Sequence, residues 1–220
     1  MYQETIVAIA TAPGKGGIGI IRLSGDKALD IASLLTRIQL TPRHAHLCSF
    51  HDNAGRVLDS GICLFFPGPH SFTGEDVVEL QAHGGPIILD LLLRETCTLG
   101  ARQAHPGEFS QRAYLNDKID LTQAEAIADL INSTTARAAL NASRSMQGIF
   151  SLKIESLVAQ VTRVRVYVEA AIDFPEEEID FIKNSQLKEQ LDIIVKQFDA
   201  LASEARQGRL VQEGIKLVIV

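Results

Sequence analysis

The stretch ATAPGKGGIGIIRLSG, residues 10 to 25, decides how the first part of this chain folds. Its glycines and lysine invite comparison with the P-loop, G-x-x-x-x-G-K-[S/T], which follows a strand and opens a phosphate-binding helix. Here Lys15 is followed by Gly16 instead of Ser or Thr, and residues 18 to 24 are rich in β-branched apolar side chains. That run is typical of a strand. We therefore predict a tight glycine turn between two strands and no nucleotide site in this loop.

Short strands and helices alternate along the rest of the first half. The turn sequence DNAGR between residues 45 to 50 and 57 to 66 predicts a β-hairpin. Asp26 is expected to cap a helix, and Pro86 suits the first turn of another. The remaining predicted strands span residues 5 to 10, 18 to 24 and 76 to 82. Residues 1–118 are therefore predicted to form an α+β domain with a mixed sheet and helices.

The second half, from residue 119, is nearly free of Gly and Pro and has apolar residues at helical spacing. We predict helices from about Thr135 to Ile172 and from about Gln186 to Leu210, within an all-α domain at 119–213. The last residues, GIKLVIV at 214–220, form a fully apolar run of the kind that begins a buried strand. We expect this strand to be the first of a further domain and the helical domain to be incomplete.

Composition limits the classes of function. With 46% hydrophobic residues and a net charge of -6, the chain is expected to be globular and without a broad basic face for nucleic acid. Its 3 cysteines do not form a C-x-x-C pair, which argues against a disulfide framework. No run approaches the roughly 20 apolar residues of a membrane helix, and the N-terminus lacks the basic region of a signal peptide. We expect a cytoplasmic protein with no membrane partner.

Several polar residues stand where a ligand could be held. Glu79 lies inside an apolar strand, where it either faces a cleft and accepts hydrogen bonds or faces water by simple alternation. Gly84 and Gly85 precede a helix, where their amides either receive an anion or allow close backbone packing, the second being favoured. By composition alone, Arg112 and Lys118 would be surface charges.

Two groups could suggest metal, and we predict none. His44, His46 and Cys48 share one face of a strand, but no further ligand stands at suitable spacing, so an exposed edge strand is favoured. The acidic run at 173–180 contains Pro175 and suits a helix start or a partner contact.

The remaining candidates are arginines of the helical half. They could contact RNA phosphates, although a salt-bridged surface is the simpler interpretation. They are Arg137, Arg144, Arg163 and Arg165. No G-x-S-x-G, H-E-x-x-H or complete nucleophile set is present, so no catalytic residue is predicted in this chain.

Four blocks together resemble the tRNA modification GTPases of the MnmE (TrmE) family: TIVAIATAPGKGGIGIIRLSG, FPGPHSFTGEDVVELQAHGG, HPGEFSQRAYLNDKIDLTQAEAIADLI and YVEAAIDFPEEEIDF. They span nearly the whole chain. The resemblance implies a tetrahydrofolate-binding domain that homodimerises and holds a ligand similar to 5-formyl-tetrahydrofolate. Arg22, Glu79 and Lys118 stand where the family's folate contacts stand.

The resemblance also implies that a GTPase domain, with GTP, K⁺ and Mg²⁺ sites, begins just beyond Val220, and that the family's terminal cysteine motif is absent here. This chain alone should then lack GTPase activity. The parent protein would work with the flavin-dependent protein MnmG to form a 5-carboxymethylaminomethyl-type modification at the wobble uridine, position 34, of certain tRNAs, using a folate one-carbon unit. Two alternatives stay open: a self-sufficient folate-dependent aminomethyl or one-carbon transferase, and a dimerisation scaffold without enzymatic activity.

Overall fold

The computed structural model describes residues 4–173 and 185–213, which divide into one unit up to Ile119 and another from Asp120 onward. The first unit is α+β and the second is all-α, so the predicted fold class is confirmed. The described elements of the first unit are β1 (Ile6–Ile9), β2 (Gly16–Ser24), α1 (Ala28–Thr36), β3 (His46–His51), β4 (Val57–Phe66), β5 (Val77–Gly84), α2 (Pro86–Thr98), β6 (Arg102–Gln103) and α3 (Glu108–Leu115).

The strands form one mixed sheet in the order β3-β4-β5-β2-β1-β6. Neighbours are antiparallel except β1 and β6, which are parallel. The lysine loop joins β1 directly to the antiparallel β2, and no helix follows it. The predicted turn between strands is therefore confirmed, as is the hairpin of β3 and β4.

One face of the sheet packs against α1 and α2. Ile21 and Leu23 on β2 and Leu80 on β5 are fully buried there, because side chains two apart on a strand share a face. Burial of each such side chain stabilises the fold by about 1.5–3 kcal/mol. Gly19 interrupts the apolar run for a reason of space, since a Cβ there would lie 2.5 Å from Cδ1 of Leu89 on α2.

Helix starts follow the prediction in one case and not in the other. Pro86 occupies the first turn of α2, as predicted. Asp26 does not cap α1: the capping position is Lys27, whose backbone N–H donates to the hydroxyl of Thr5 at 2.9 Å. The N–H of Lys27 is thus satisfied by a residue 22 positions away, and Lys27 makes no side-chain capping hydrogen bond of its own.

The second unit contains α4 (Leu121–Asn132), α5 (Ala136–Met146), α6 (Ile149–Asp173) and α7 (Ser185–Glu213). Asp120 and Gln123 form a capping box at α4, and Thr135 caps α5. The prediction of one helix from about Thr135 to Ile172 is wrong, because Gly148, with φ of +80°, separates α5 from α6. The strand predicted at 214–220 and most of the acidic run at 173–180 lie outside the described residues.

Candidate functional site

Arg22 and Glu79 lie directly opposite each other on β2 and β5. They occupy the sheet face that points away from α1 and α2, because their neighbours Leu23 and Leu80 fill the core on the other face. Ala8 of β1 and Leu64 of β4 complete the same cross-strand row. Two of the three residues that the family resemblance singled out are therefore brought together by the sheet register.

The ion pair uses only part of each side chain. Nε and Nη2 of Arg22 both donate to Oε1 of Glu79, at 2.9 and 2.7 Å. In the described part of the chain, Oε2 of Glu79 and Nη1 of Arg22 have no hydrogen-bond partner. The Arg22 side chain keeps 31% of its surface exposed and that of Glu79 keeps 16%. The pair thus leaves one acceptor oxygen and one donor nitrogen unused, in a partly buried place where hydrogen bonds are stronger than in water.

Two aromatic rings lie near the guanidinium of Arg22. Its Cζ lies 5.5 Å from the ring centroid of Phe72 and 6.0 Å from that of Phe109. Phe72 belongs to the loop between β4 and β5, and Phe109 lies in the first turn of α3. Both distances are within the range of cation–π attraction, which holds the guanidinium in place.

Lys118 lies at the same loop but not at the ion pair. Its Cγ and Cδ would each be 3.2 Å from a Cβ added to Gly74, whose φ of +80° is in the left-handed region. No described hydrogen bond or ion pair joins Lys118 to Arg22 or Glu79. Lys118 is exposed, so its ammonium group stays available to a ligand that extends along the loop.

Arg112 was expected at the surface, and it is instead completely buried. Nη1 donates to the two carboxylate oxygens of Glu75 at 3.2 and 3.0 Å. Nη2 donates to Oε1 of Glu108 and to the carbonyl oxygen of Glu4, both at 3.0 Å. Glu108 and Arg112 stand four apart on α3, a spacing at which side chains of opposite charge pair, but nothing local to α3 indicated the burial of the arginine.

Glu108 links this buried arginine to a second one. Its side chain is 3% exposed and accepts from Arg102 and from the backbone N–H of His105. The hydrogen bonds from Arg102 are the main reason that the pKa of Glu108 falls to about 2 despite its burial, with His105 and Arg112 adding to the effect. The carboxylate is therefore ionised throughout the neutral range.

The loop that carries Phe72 is fastened to this network. Ser24 donates to Glu75 at 2.7 Å and shares a 2.6 Å hydrogen bond with Thr73. The side chain of Asn116 donates to the carbonyl oxygen of Thr73 at 2.7 Å. A loop with this many buried contacts holds one conformation, so Phe72 is presented in a defined position.

The other candidates have structural explanations. Gly84 is required by packing, because a Cβ there would lie 2.7 Å from the carbonyl oxygens of Gly16 and Ile18. His46 and Cys48 lie on β3, an edge strand as favoured, and His46 accepts the backbone N–H of Thr41. Within residues 4–173 and 185–213, no group of three or more His, Cys, Asp or Glu side chains could hold a metal ion.

In the helical unit, Arg137 and Arg144 line a cleft of about 650 Å³ together with acidic side chains such as Glu125 and Asp129. Arg165 lies 3.5 Å from Glu169. These mixed charges agree better with a salt-bridged surface than with a basic RNA-binding face.

These features define the class: a protein with an α+β unit, whose sheet carries a charged pair close to two aromatic rings, followed by an all-α unit. None of its helices within the described ranges is long and apolar enough to cross a membrane. Residues 5–118 match the family described as "GTP-binding protein TrmE N-terminus", and residues 121–216 match "MnmE helical domain". The chain therefore belongs to the TrmE (MnmE) family.

Three proteins similar to this chain share one name. The protein of Marinobacter nauticus is 56% identical over 216 residues, which cover 98% of this chain and 47% of that protein. The protein of Stutzerimonas stutzeri is 55% identical and that of Saccharophagus degradans 57% identical, each over 99% of this chain and 48% of the relative. All three are named "tRNA modification GTPase MnmE". The chain spans about half the length of these curated relatives.

Proposed function

We propose that the first unit binds a reduced folate of the 5-formyl-tetrahydrofolate type at the Arg22–Glu79 pair. The observation that supports this most is the ion pair itself, in which Oε2 of Glu79 and Nη1 of Arg22 have no hydrogen-bond partner among the described residues. The edge of a pterin carries amino and ring N–H donors next to a carbonyl acceptor. Glu79 would accept from the N–H groups and Arg22 would donate to the carbonyl.

Lys118 would contact the other end of the ligand. A folate extends from its pterin through an aromatic linker to a glutamate with two carboxylates. Lys118 is exposed and packs its aliphatic carbons against Gly74, two residues from Phe72 in the chain. Its ammonium would attract the glutamate carboxylates, as a flexible point charge suits a mobile tail.

Calorimetric titration with 5-formyl-tetrahydrofolate tests the assignment. Because hydrogen bonds to charged groups contribute about 1.5–3 kcal/mol, Arg22→Ala and Glu79→Gln should each weaken binding by roughly 10- to 100-fold. Lys118→Ala should weaken it less, since its charge is exposed. Arg56→Ala is the matched control, because it removes an arginine that also pairs with a carboxylate at 2.7 Å, in an exposed turn. Binding by Arg22→Ala with the affinity of the unaltered chain would contradict the site.

For the whole protein we propose the role that its relatives' name describes, GTP hydrolysis coupled to tRNA modification. In that protein, residues 1–118 would be the folate-binding and homodimerisation domain, 119–213 part of the helical domain and 214–220 the first strand of a GTPase domain that holds GTP, K⁺ and Mg²⁺. It would act in the cytoplasm with MnmG on the wobble uridine of tRNA. The names of the relatives and the match to both family domains support this proposal.

This proposal predicts that the 220-residue chain is a dimer that binds folate but neither hydrolyses GTP nor turns over a one-carbon unit. Light scattering gives the mass, and phosphate release gives the GTPase rate. Turnover without GTP or a partner protein would favour the transferase alternative. A folded dimer that binds no folate would favour the scaffold.

A further inference from the structure

Phe72 combines an exposed aromatic ring with a rigid attachment. It is 37% exposed, whereas the adjacent Thr73 is fully buried and hydrogen-bonded to Ser24. Water does not stabilise an exposed apolar ring, so in a mobile loop such a ring normally turns toward the protein. A single exposed apolar side chain is ordinary on a protein surface, so the exposure of Phe72 is informative only because the ring lies beside the guanidinium of Arg22.

Phe72 and Phe109 are tied to each other by the buried ion pair. Phe72 precedes Glu75 by three residues on the loop, and Phe109 precedes Arg112 by three residues on α3. Glu75 and Arg112 form the buried contact at 3.0 Å that joins the two elements. The ion pair thus sets where both rings lie relative to Arg22.

The distance from Arg22 to each ring can be compared with the distance from Arg22 to a bound ligand atom. A hydrogen bond of about 2.9 Å to a guanidinium nitrogen puts the acceptor atom about 4 Å from Cζ. The ring centroids of Phe72 and Phe109 lie 5.5 and 6.0 Å from that same carbon. A planar ring that is hydrogen-bonded to the guanidinium on the side of these aromatic rings would therefore lie beside them, where stacked or edge-on contacts form.

We propose that Phe72 and Phe109 are further ligand-contacting residues, which hold the planar pyrimidinone ring of a pteridine against the Arg22–Glu79 pair. This inference rests on the proposed folate site and deepens it, because it assigns the aromatic rings to the pteridine end of the ligand.

The absence of tryptophan from this chain provides a direct test. Phe72→Trp introduces a single indole at the proposed contact, and Phe198→Trp introduces one at an exposed position of α7 in the helical unit as the control. Titration of the Phe72→Trp variant with 5-formyl-tetrahydrofolate should quench its indole fluorescence saturably, with the dissociation constant found by calorimetry, after correction for absorbance by the ligand. The control should show no saturable quenching.

The affinities of leucine variants complete the test. Phe72→Leu keeps an apolar side chain but removes the ring, and we expect about fivefold weaker binding, in line with the worth of an aromatic contact. Phe72→Tyr should bind like the unaltered chain. Phe66→Leu is the matched control, because Phe66 lies 5.9 Å from the guanidinium carbon of a different arginine, Arg43.

The outcomes separate this inference from the proposed function. If Arg22→Ala loses binding while Phe72→Leu and Phe109→Leu both bind within twofold of the unaltered chain, the aromatic contacts are refuted and the folate site stands. Unquenched indole fluorescence in a Phe72→Trp variant that binds folate would refute them equally. If the unaltered chain binds no folate, the folate site and the aromatic contacts are both refuted.

Discussion

Replacement of Arg112 by methionine should destabilise the first unit strongly. The guanidinium is fully buried and neutralises Glu75, whose side chain is only 14% exposed. Methionine fills a similar volume, but it leaves a buried carboxylate without its counter-charge. Removal of one partner from a buried pair costs about 3–5 kcal/mol. Glu108 keeps Arg102 as a partner, so we expect the lower end of that range, about 3 kcal/mol.

Amide hydrogen exchange measures this loss in the first unit alone. The amides of β2 and β5 exchange through unfolding of the sheet, so their exchange free energies should fall by about 3 kcal/mol. The melting temperature should fall by about 10 °C for a unit of this size. Arg112→Met combined with Glu75→Gln should recover part of the loss, because the second change removes the unpaired charge.

Arg94→Met is the matched control for this prediction. Arg94 also lies four residues after an acid on a helix, with its Nε 2.8 Å from Asp90, but the pair is exposed. Exposed pairs of this type contribute about 0.3–0.5 kcal/mol. If Arg112→Met changes the exchange free energies no more than Arg94→Met does, the argument from burial is refuted.

Three further results are expected. Gly61→Ala should lower the free energy of unfolding by about 3 kcal/mol and speed amide exchange in β4, because the added Cβ would lie 2.0 Å from the carbonyl oxygen of Gln81. Exchange as slow as in the unaltered chain would show that β4 and β5 are not paired this closely. The pKa of Glu108 is lowered from 4.5 to about 2, so its contribution is complete above 4.5 and is lost as the pH falls to about 2. Urea titrations across that range should show a loss of about 3 kcal/mol that is smaller in Glu108→Gln, and an equal loss in that variant would assign the effect to other groups. Burial, with a smaller effect of Cys48, raises the pKa of the Cys63 thiol to about 12. A disulfide reagent at about pH 8 should therefore modify Cys63 only after urea is added. Rapid labelling of Cys63 in the folded chain would contradict its burial.

The elements of the first unit were predictable because their signals are local. A β-branched apolar run marks β2, period-two alternation marks β5, and DNAGR lies within the β3–β4 hairpin. One error was local in origin, and the other came from a distant residue. The helical period continues across Gly148, whose left-handed backbone ends α5, and the start of α1 uses Thr5, a residue 22 positions away.

The candidate site was predictable only in part. The resemblance to a family pointed to Arg22, Glu79 and Lys118, whereas composition could not distinguish Lys118 from any surface lysine. Phe72 and Phe109 carried no signal of their own, since an aromatic residue near a turn is more often part of a core. What they contact becomes visible only when the loop and α3 lie beside β2.

By itself, the sequence determined the fold class, most of the strands and helices and the family, because helical and strand periods and long ordered blocks are properties of neighbouring residues. The tertiary structure alone decided that Arg22 meets Glu79, 57 positions away, and that Arg112 is buried. The physical reason is that sheet register and the desolvation of a charge depend on which distant segments pack together. The free energy of a buried ion pair belongs to that packing and not to the residues next to it in the chain.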